Sequence, residues 1–275
     1  MRPSSGSALR FLVLGPVVFA NLVPIYMVFV NAFKTLRDIK ADPLSLPLDR
    51  LTLANMASVV ANEQLVSAFV NTMVYVVGSV TGAVVVGSMF AYVIARQRTR
   101  IFRLMYMLVL VGLLIPPVIT ALPLVQILAR LHLIGSMPAL IIIAVGGSLP
   151  FTMFIYASFI HTIPVELDES AQIDGANRFT TFWRVIFPLL RPVTASVIIF
   201  LALGAFNDLL GPLLFLGASK DKAVLTTLMF ANLGKYQSNY DQLFALIWVV
   251  MVPVIVFFVA MQRQFISGLT QGTLK

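Results

Sequence analysis

Residues 164–192 read Pro-Val-Glu-Leu-Asp-Glu-Ser-Ala-Gln-Ile-Asp-Gly-Ala-Asn-Arg-Phe-Thr-Thr-Phe-Trp-Arg-Val-Ile-Phe-Pro-Leu-Leu-Arg-Pro. The pattern is that of two short helices, not of a linker. Pro164 suits a first helical turn, where its missing N–H is not needed. Glu166, Asp168 and Glu169 put negative charge where the helix macrodipole favours it. The small residues Ser170 and Ala171 follow, and Asp174-Gly175 supplies the stop, because glycine takes the left-handed cap without a side-chain clash. Asn177 is placed to cap a second helix. Phe179, Phe182, Trp183 and Ile186 recur on it at 3- and 4-residue spacings as an apolar stripe. Pro188 and Pro192 end it. By periodicity alone, this second helix reads equally well as an amphipathic helix lying on a bilayer.

What flanks this stretch is almost entirely apolar. The 275 residues are 59% hydrophobic and 11% charged, with mean hydropathy +0.96. Soluble domains carry about 25% charged residues, so much of this chain requires lipid as its solvent. Six segments are long enough to cross: about 11–33, 69–95, 103–126, 138–161, 193–217 and 243–261. The expected class is therefore all-α, a single polytopic membrane domain over residues 1–275 with six transmembrane helices and the loop 162–192 between the fourth and fifth. The first segment follows Arg2 and Arg10 as a signal peptide would. Its apolar stretch exceeds the roughly 7–15 residues of such a signal, and it is expected to be a retained helix.

Orientation follows from the short loop Arg96-Gln-Arg-Thr-Arg-Ile-Phe-Arg103, with four arginines and no acid. The positive-inside rule makes it cytoplasmic, and six spans then put both termini in the cytoplasm. Segments 34–68 and 218–242 fall outside, where 51–66 reads as a short amphipathic helix. The net charge of +8 is topology information of this kind; no basic stretch interleaved with aromatics suggests nucleic acid. There is no cysteine, and His132 and His161 are too far apart for a local metal motif, so neither a metal site nor a catalytic residue is expected.

Polar and helix-breaking residues inside spans mark a candidate pathway, because both are costly in lipid. They are Pro116, Pro117, Asn71, Asn207 and Asp208, with Asn21, Gln126 and Pro150 behind them. Each has a plain alternative: a packed kink for the prolines, and a side chain tying two helices together for the others. Tyr75, Tyr92, Tyr106 and Phe154 have the shape to stack on a sugar, but in a chain with 21 Phe and 7 Tyr most aromatics are packing.

The opening stretch resembles the signature loop of inner-membrane subunits of binding-protein-dependent ABC importers. That pattern is Glu-Ala-Ala, three residues, Gly, nine residues, then Ile-x-Leu-Pro. Here it stands as Glu169-Ser170-Ala171, Gly175 and Val185-Ile186-Phe187-Pro188, with Ile173-Asp174-Gly175-Ala176 also matching. Other segments are similar to the carbohydrate branch and its maltose-type second permease: Asn71-Thr72, Ala91-Tyr92, Phe206-Asn207-Asp208 (where that branch has Trp-Asn-Asp) and the ending Gln262 to Gly272. The resemblance implies a type I importer permease fold in a bacterial cytoplasmic membrane. It implies a second homologous permease chain, two ATPase subunits and an extracytoplasmic solute-binding protein as partners. Glu169, Ser170, Ala171, Asp174, Gly175, Ala176 and Pro188 would form the loop that engages the ATPase. The chain has no Gly-x-x-x-x-Gly-Lys-Ser/Thr phosphate loop, so ATP and magnesium are expected in the partner and no cofactor in this chain. A sugar is the expected cargo. Glycerol phosphate or another polar solute, and more remotely a stand-alone secondary transporter, are the alternatives.

Overall fold

The computed structural model describes residues 5–46, 48–97, 99–217, 220–232 and 239–271, without the side chains of 5–11, 13, 220, 232 and 263–271. Every regular element among them is helical. In chain order they are α1 (Ser5–Asn31), α2 (Leu36–Ala41), α3 (Ala54–Val60), α4 (Glu63–Arg96), α5 (Arg100–Val111), α6 (Pro117–Arg130), α7 (Met137–Ile160), α8 (Glu166–Ile173), α9 (Arg178–Thr181), α10 (Phe187–Leu189), α11 (Arg191–Phe206), α12 (Leu210–Phe215), α13 (Leu225–Asn232) and α14 (Tyr240–Gln271).

Among the described residues four helices are long and apolar enough to cross a membrane: Leu14–Asn31, Glu63–Arg96, Met137–Ile160 and Tyr240–Gln262. Two further pairs qualify if each is one bent span, Arg100–Leu114 with Pro117–Arg130 (103°) and Arg178–Leu189 with Arg191–Phe206 (80°). The third sequence segment is therefore not a straight span, while the second bend, at Leu190, falls just before the fifth. In the third, a 3-10 turn at Gly112–Leu114 precedes Pro116, whose ψ of 130° is extended. The ring of Pro117 disfavours helical backbone at the residue before it, and that residue is itself a proline with no N–H to give, so the pair breaks the helix where one proline would only kink it. Pro150 stays inside the unbroken α7. The fifth segment stops at Phe206 and restarts at Leu210. Segment 51–66 also differs from expectation: α3 ends at Val60 and α4 already begins at Glu63.

The chain divides into two units, residues 1–66 with 229–256, and residues 67–228 with 257–275. In the first, α1 leads into a polar knot. Lys34 is completely enclosed, its Nζ donating to the Asp42 carbonyl (3.0 Å) and Ser45 Oγ (3.3 Å). Asn55 donates to the Lys34 carbonyl, and Asn31 to the Met27 and Pro43 carbonyls. Burial lowers the Lys34 pKa from its ordinary value, against the opposing pull of the Asp42 and Asp38 charges. Phe29 packs edge-on against Phe33 and Trp248.

The second unit is held by close helix contact. Gly78 and Gly82 on α4 lie four residues apart, the small-xxx-small spacing that lets membrane helices approach. A Cβ at Gly82 would stand 2.6 Å from Cγ2 of Val145, and one at Gly87 would stand 2.4 Å from Oγ1 of Thr152, both on α7. On the far side of α7, Gly112 accommodates Pro150 in the same way, at 2.9 Å. A core of Tyr92, Tyr156, Ile160, Phe182, Ile186 and Leu190 joins α4, α7 and the segment after α9. Elsewhere the helices expose apolar side chains such as Phe19, Ile101 and Ile142, as a lipid-facing surface requires. Overpacking costs about 1–3 kcal/mol. Gly87→Leu should therefore lower the thermal unfolding midpoint in detergent by several degrees. Gly146→Ala, on α7 with open space around the added methyl, should leave that midpoint unchanged.

Candidate functional site

The loop after α7 folds as a helix, a corner and a second helix. The corner is a Schellman motif: Ala176 N–H bonds to the Ala171 carbonyl (2.9 Å) and Gly175 N–H to that of Gln172 (3.0 Å). Gly175 sits at φ +84°, left-handed backbone that costs an L-residue about 1–2 kcal/mol. The side chain of Asn177 then accepts from Thr180 N–H at 2.8 Å and caps α9. Glu169, Ser170, Asp174 and Gly175 are exposed, Ala171 is buried against the protein, and Ala176 and Pro188 are half-buried. Leu167, Ile173 and Phe179 expose apolar side chains on the same loop.

The second half of the loop is not a simple amphipathic helix. Residues Phe182–Ile186 form a π turn, which shifts the register of the expected stripe. Phe182 and Ile186 are buried in the protein core, while Phe179 stays exposed. The Phe182 ring lies 5.3 Å from that of Tyr92 on α4, and Trp183 lies 4.8 Å from Phe187. This segment is thus welded to the spans, not laid on a bilayer surface.

One acid of the loop points inward. Asp168 is only 4% exposed. The Tyr92 hydroxyl donates to its Oδ1, and Arg96 Nη2 faces its Oδ2 at 2.8 Å. Arg96 Nη1 donates to the Ile163 carbonyl (3.1 Å) and, more weakly, to the Ile160 carbonyl (3.4 Å), which also accepts from Ile163 N–H in the turn that ends α7. One guanidinium therefore joins the ends of α4 and α7 to the start of α8. Removing one partner of a buried pair costs about 3–5 kcal/mol, because the other charge is stranded. The sequence reading took Arg96 as a topology signal and Asp168 as a dipole partner, and missed the pair. Its trace is that Tyr92 and Arg96 are four residues apart and so share one helix face.

A second site lies where the helices break. A cavity of about 610 Å³ is lined by Tyr75, Pro117, Thr120, Ala144, Gly147, Asp208 and Gly211, among others. The Asp208 carboxylate accepts from the Tyr75 hydroxyl (2.8 Å) and from Gly211 N–H (3.0 Å), capping the restart at α12. A Cβ at Gly211 would stand 2.4 Å from Asp208 Oδ2, so any larger residue there must displace the carboxylate from its present partners. The Asp208 carbonyl accepts from Thr226 Oγ1 at 2.7 Å.

Of the expected pathway residues, the structure thus brings Pro117 and Asp208 to one cavity. Pro116 caps α6 from outside its lining. Asn207 is exposed and bonds back to the Leu203 carbonyl. Asn71 holds the Asp221 and Ala223 carbonyls (2.9 and 3.0 Å), and its neighbour Thr72 receives Leu225 N–H (2.9 Å), so this pair ties segment 221–225 to α4. Asn21 bonds within its own helix, and Gln126 is exposed. Among the described residues no cluster of His, Cys, Asp or Glu suits a metal. At the C-terminal motif, the helix runs to Gln271; the side chains from Arg263 onward, and Gly272, lie outside the described residues.

A helical, multi-spanning membrane chain with a structured helix–corner–helix loop between spans and a cavity at its broken helices has the make-up of a transport permease. The family model for the binding-protein-dependent transport system inner membrane component matches residues 83–271, and the chain belongs to that family. It is 36% identical over 256 residues to the diacetylchitobiose uptake system permease protein NgcG of Streptomyces coelicolor, covering 92% of this chain and 84% of that one. It is 30% identical to the melibiose/raffinose/stachyose import permease protein MelC of Bacillus subtilis over the whole of both chains. The fold matches a chain in the crystal structure of a bacterial ABC transporter involved in the import of the acidic polysaccharide alginate. That match has a TM-score of 0.84 and 19% identity, and covers 96% of this chain and 99% of that one. The protein is thus an importer permease subunit, not a stand-alone transporter.

Tyr75→Phe removes one partner of the Asp208 carboxylate, and a lost hydrogen bond of this kind costs about 1 kcal/mol. A fall of about 2–4 °C in the unfolding midpoint is expected. Gly211→Ala should cost more, because its methyl meets the carboxylate itself. Both are read by thermal unfolding in detergent.

Proposed function

We propose that this chain forms half of the translocation pathway of an ATP-driven sugar importer in a bacterial cytoplasmic membrane. A second permease chain supplies the other half, two ATPase subunits supply the energy, and an extracytoplasmic solute-binding protein delivers the cargo. Relatives named for diacetylchitobiose and for melibiose, raffinose and stachyose support a carbohydrate cargo. A second structural neighbour, TM-score 0.69, comes from an alginate transporter in complex with a pentasaccharide-bound periplasmic protein, which supports the binding-protein partner. The six spans count Arg100–Leu114 with Pro117–Arg130 as one bent crossing and take the fifth from α11 onward, since Arg178–Leu189 belongs to the loop; the arginine loop 96–103 and the loop 162–192 are on the cytoplasmic side.

The observation that carries the coupling role is the exposed face of α8. Glu169 and Ser170 stand free at the surface, the small side chain leaving room for close approach, and Leu167 and Ile173 offer apolar area beside them. Such a face, at the cytoplasmic end of the spans, fits docking into a cleft of the ATPase, with Glu169 meeting a cationic group there. The 610 Å³ cavity is the cargo-facing candidate. Two of the Asp208 acceptor positions are filled and others remain for sugar hydroxyls. Among the described residues no Lys or Arg lines that cavity, which favours a neutral cargo over a phosphorylated one.

Two variants test the loop. Glu169→Arg reverses the charge at the proposed contact, and Gly175→Val strains the corner at φ +84°. Both are expected to cut transport by about tenfold or more, as loss of about 1.4 kcal/mol of coupling would, with loss of ATPase binding or of its response to the loaded binding protein. Normal transport and a normal ATPase response in both would remove this loop from the coupling role.

A further inference from the structure

We infer that α4 is the rod that carries movement of α8 to the Asp208 cavity, gripped at its cytoplasmic end by Arg96 and Tyr92 on Asp168 and at its other end by Tyr75 on Asp208. This rests on the reading of α8 as the ATPase-docking helix.

Asp168 is the one α8 side chain with a hydrogen bond or ion pair to a span among the described residues. The corner beyond it faces open space at Gly175, where nothing lies within 4 Å of an added Cβ. Without that grip, α8 would be tied to the spans only by apolar packing, through its own Ala171 and through Phe182 and Ile186 beyond the corner, which tolerates sliding better than a charge pair does. With it, α8 moves only by dragging the end of α4, or by stranding a largely enclosed carboxylate and guanidinium. The same guanidinium holds the Ile160 and Ile163 carbonyls, so the end of α7 moves with them.

The other end of the rod repeats the arrangement. Tyr92 and Tyr75 stand on one uninterrupted helix, seventeen residues or about 25 Å apart at the α-helical rise. Each donates its hydroxyl to a carboxylate on a different part of the chain. Asp208 lines the cavity and caps the break between α11 and α12, where the backbone is not stiffened by continuous helix. A shift of α4 is therefore felt at the place best able to change shape. Arg96, Tyr92 and Asp168 act as positioning residues; none of them meets the cargo.

The test uses the full importer reconstituted in lipid. This chain has no cysteine, so Val118→Cys, at the cavity lining, gives a single reporter whose reaction with a water-soluble maleimide is read by mass on this chain. Labelling should change by about fivefold or more between the ATP-free and ATP-trapped states, the lower end of ordinary coupling. Adding Asp168→Asn or Arg96→Ala should collapse that change while ATP hydrolysis continues, so that solute moved per ATP falls. Arg96→Lys, which keeps the charge pair, should recover most of it. An undiminished labelling change in Asp168→Asn and Arg96→Ala would overturn the inference. So would loss of ATP hydrolysis in an assembled Asp168→Asn complex, because the grip would then act on the ATPase contact itself. Glu169→Arg separates the two claims: if it leaves ATPase docking and response intact, the loop reading fails whatever the labelling shows.

Discussion

In a bilayer, every interruption of a helix must find a partner for the backbone groups it frees, since water is not there to do so. Three of the interruptions among the described residues are met in this way. Asp208 receives the Gly211 N–H where α11 gives way to α12. Arg96 takes up carbonyls where α7 ends. Where α8 ends at its exposed corner, the backbone bonds to itself through Gly175 and Ala176. The satisfied breaks coincide with the places where function is expected, namely the cavity and the loop.

This economy ties local chemistry to mechanism. A side chain recruited to close one helix end is also available to hold a second element. Arg96 closes α7 and grips α8 in one geometry; Asp208 caps α12 and holds Tyr75 of α4, while its own carbonyl takes Thr226 from the segment that Asn71 and Thr72 pin to α4. Between these knots, Gly78, Gly82 and Gly87 keep α4 close against α7. Stiff helices joined at a few polar points suit a molecule that must switch between arrangements without dissolving its packing.

Much of the loop was legible in the sequence because its signals are local. Gly175 needs the left-handed region and Asn177 caps through its own side chain, and both facts are properties of adjacent residues. The class of protein was legible from the apolar runs and the loop pattern together. What was not legible depends on partners distant in sequence. Arg96 reads as a charge at a membrane boundary until Asp168, 72 positions away, is placed beside it. Asn71 reads as a pathway residue or as a tie between elements, and only its distant partners, the Asp221 and Ala223 carbonyls, show that it is a tie. The double proline announced a special place, yet hydropathy alone could not separate a kink from the 103° break that forms. The π turn at Phe182 is likewise invisible to a 3.6-residue period, and it is what turns the expected membrane-surface stripe into core.

The central claim is that this chain couples a partner's ATP hydrolysis to delivery of a sugar by a binding protein. The most direct measurement is ATPase activity of the co-expressed importer in lipid, with its neighbouring permease, ATPase and binding protein, against a panel of neutral sugars. The account predicts stimulation that needs both one sugar and the binding protein. Failure of this chain to assemble with any ATPase, or an assembled complex whose ATPase activity ignores the binding protein loaded with any sugar, would contradict it.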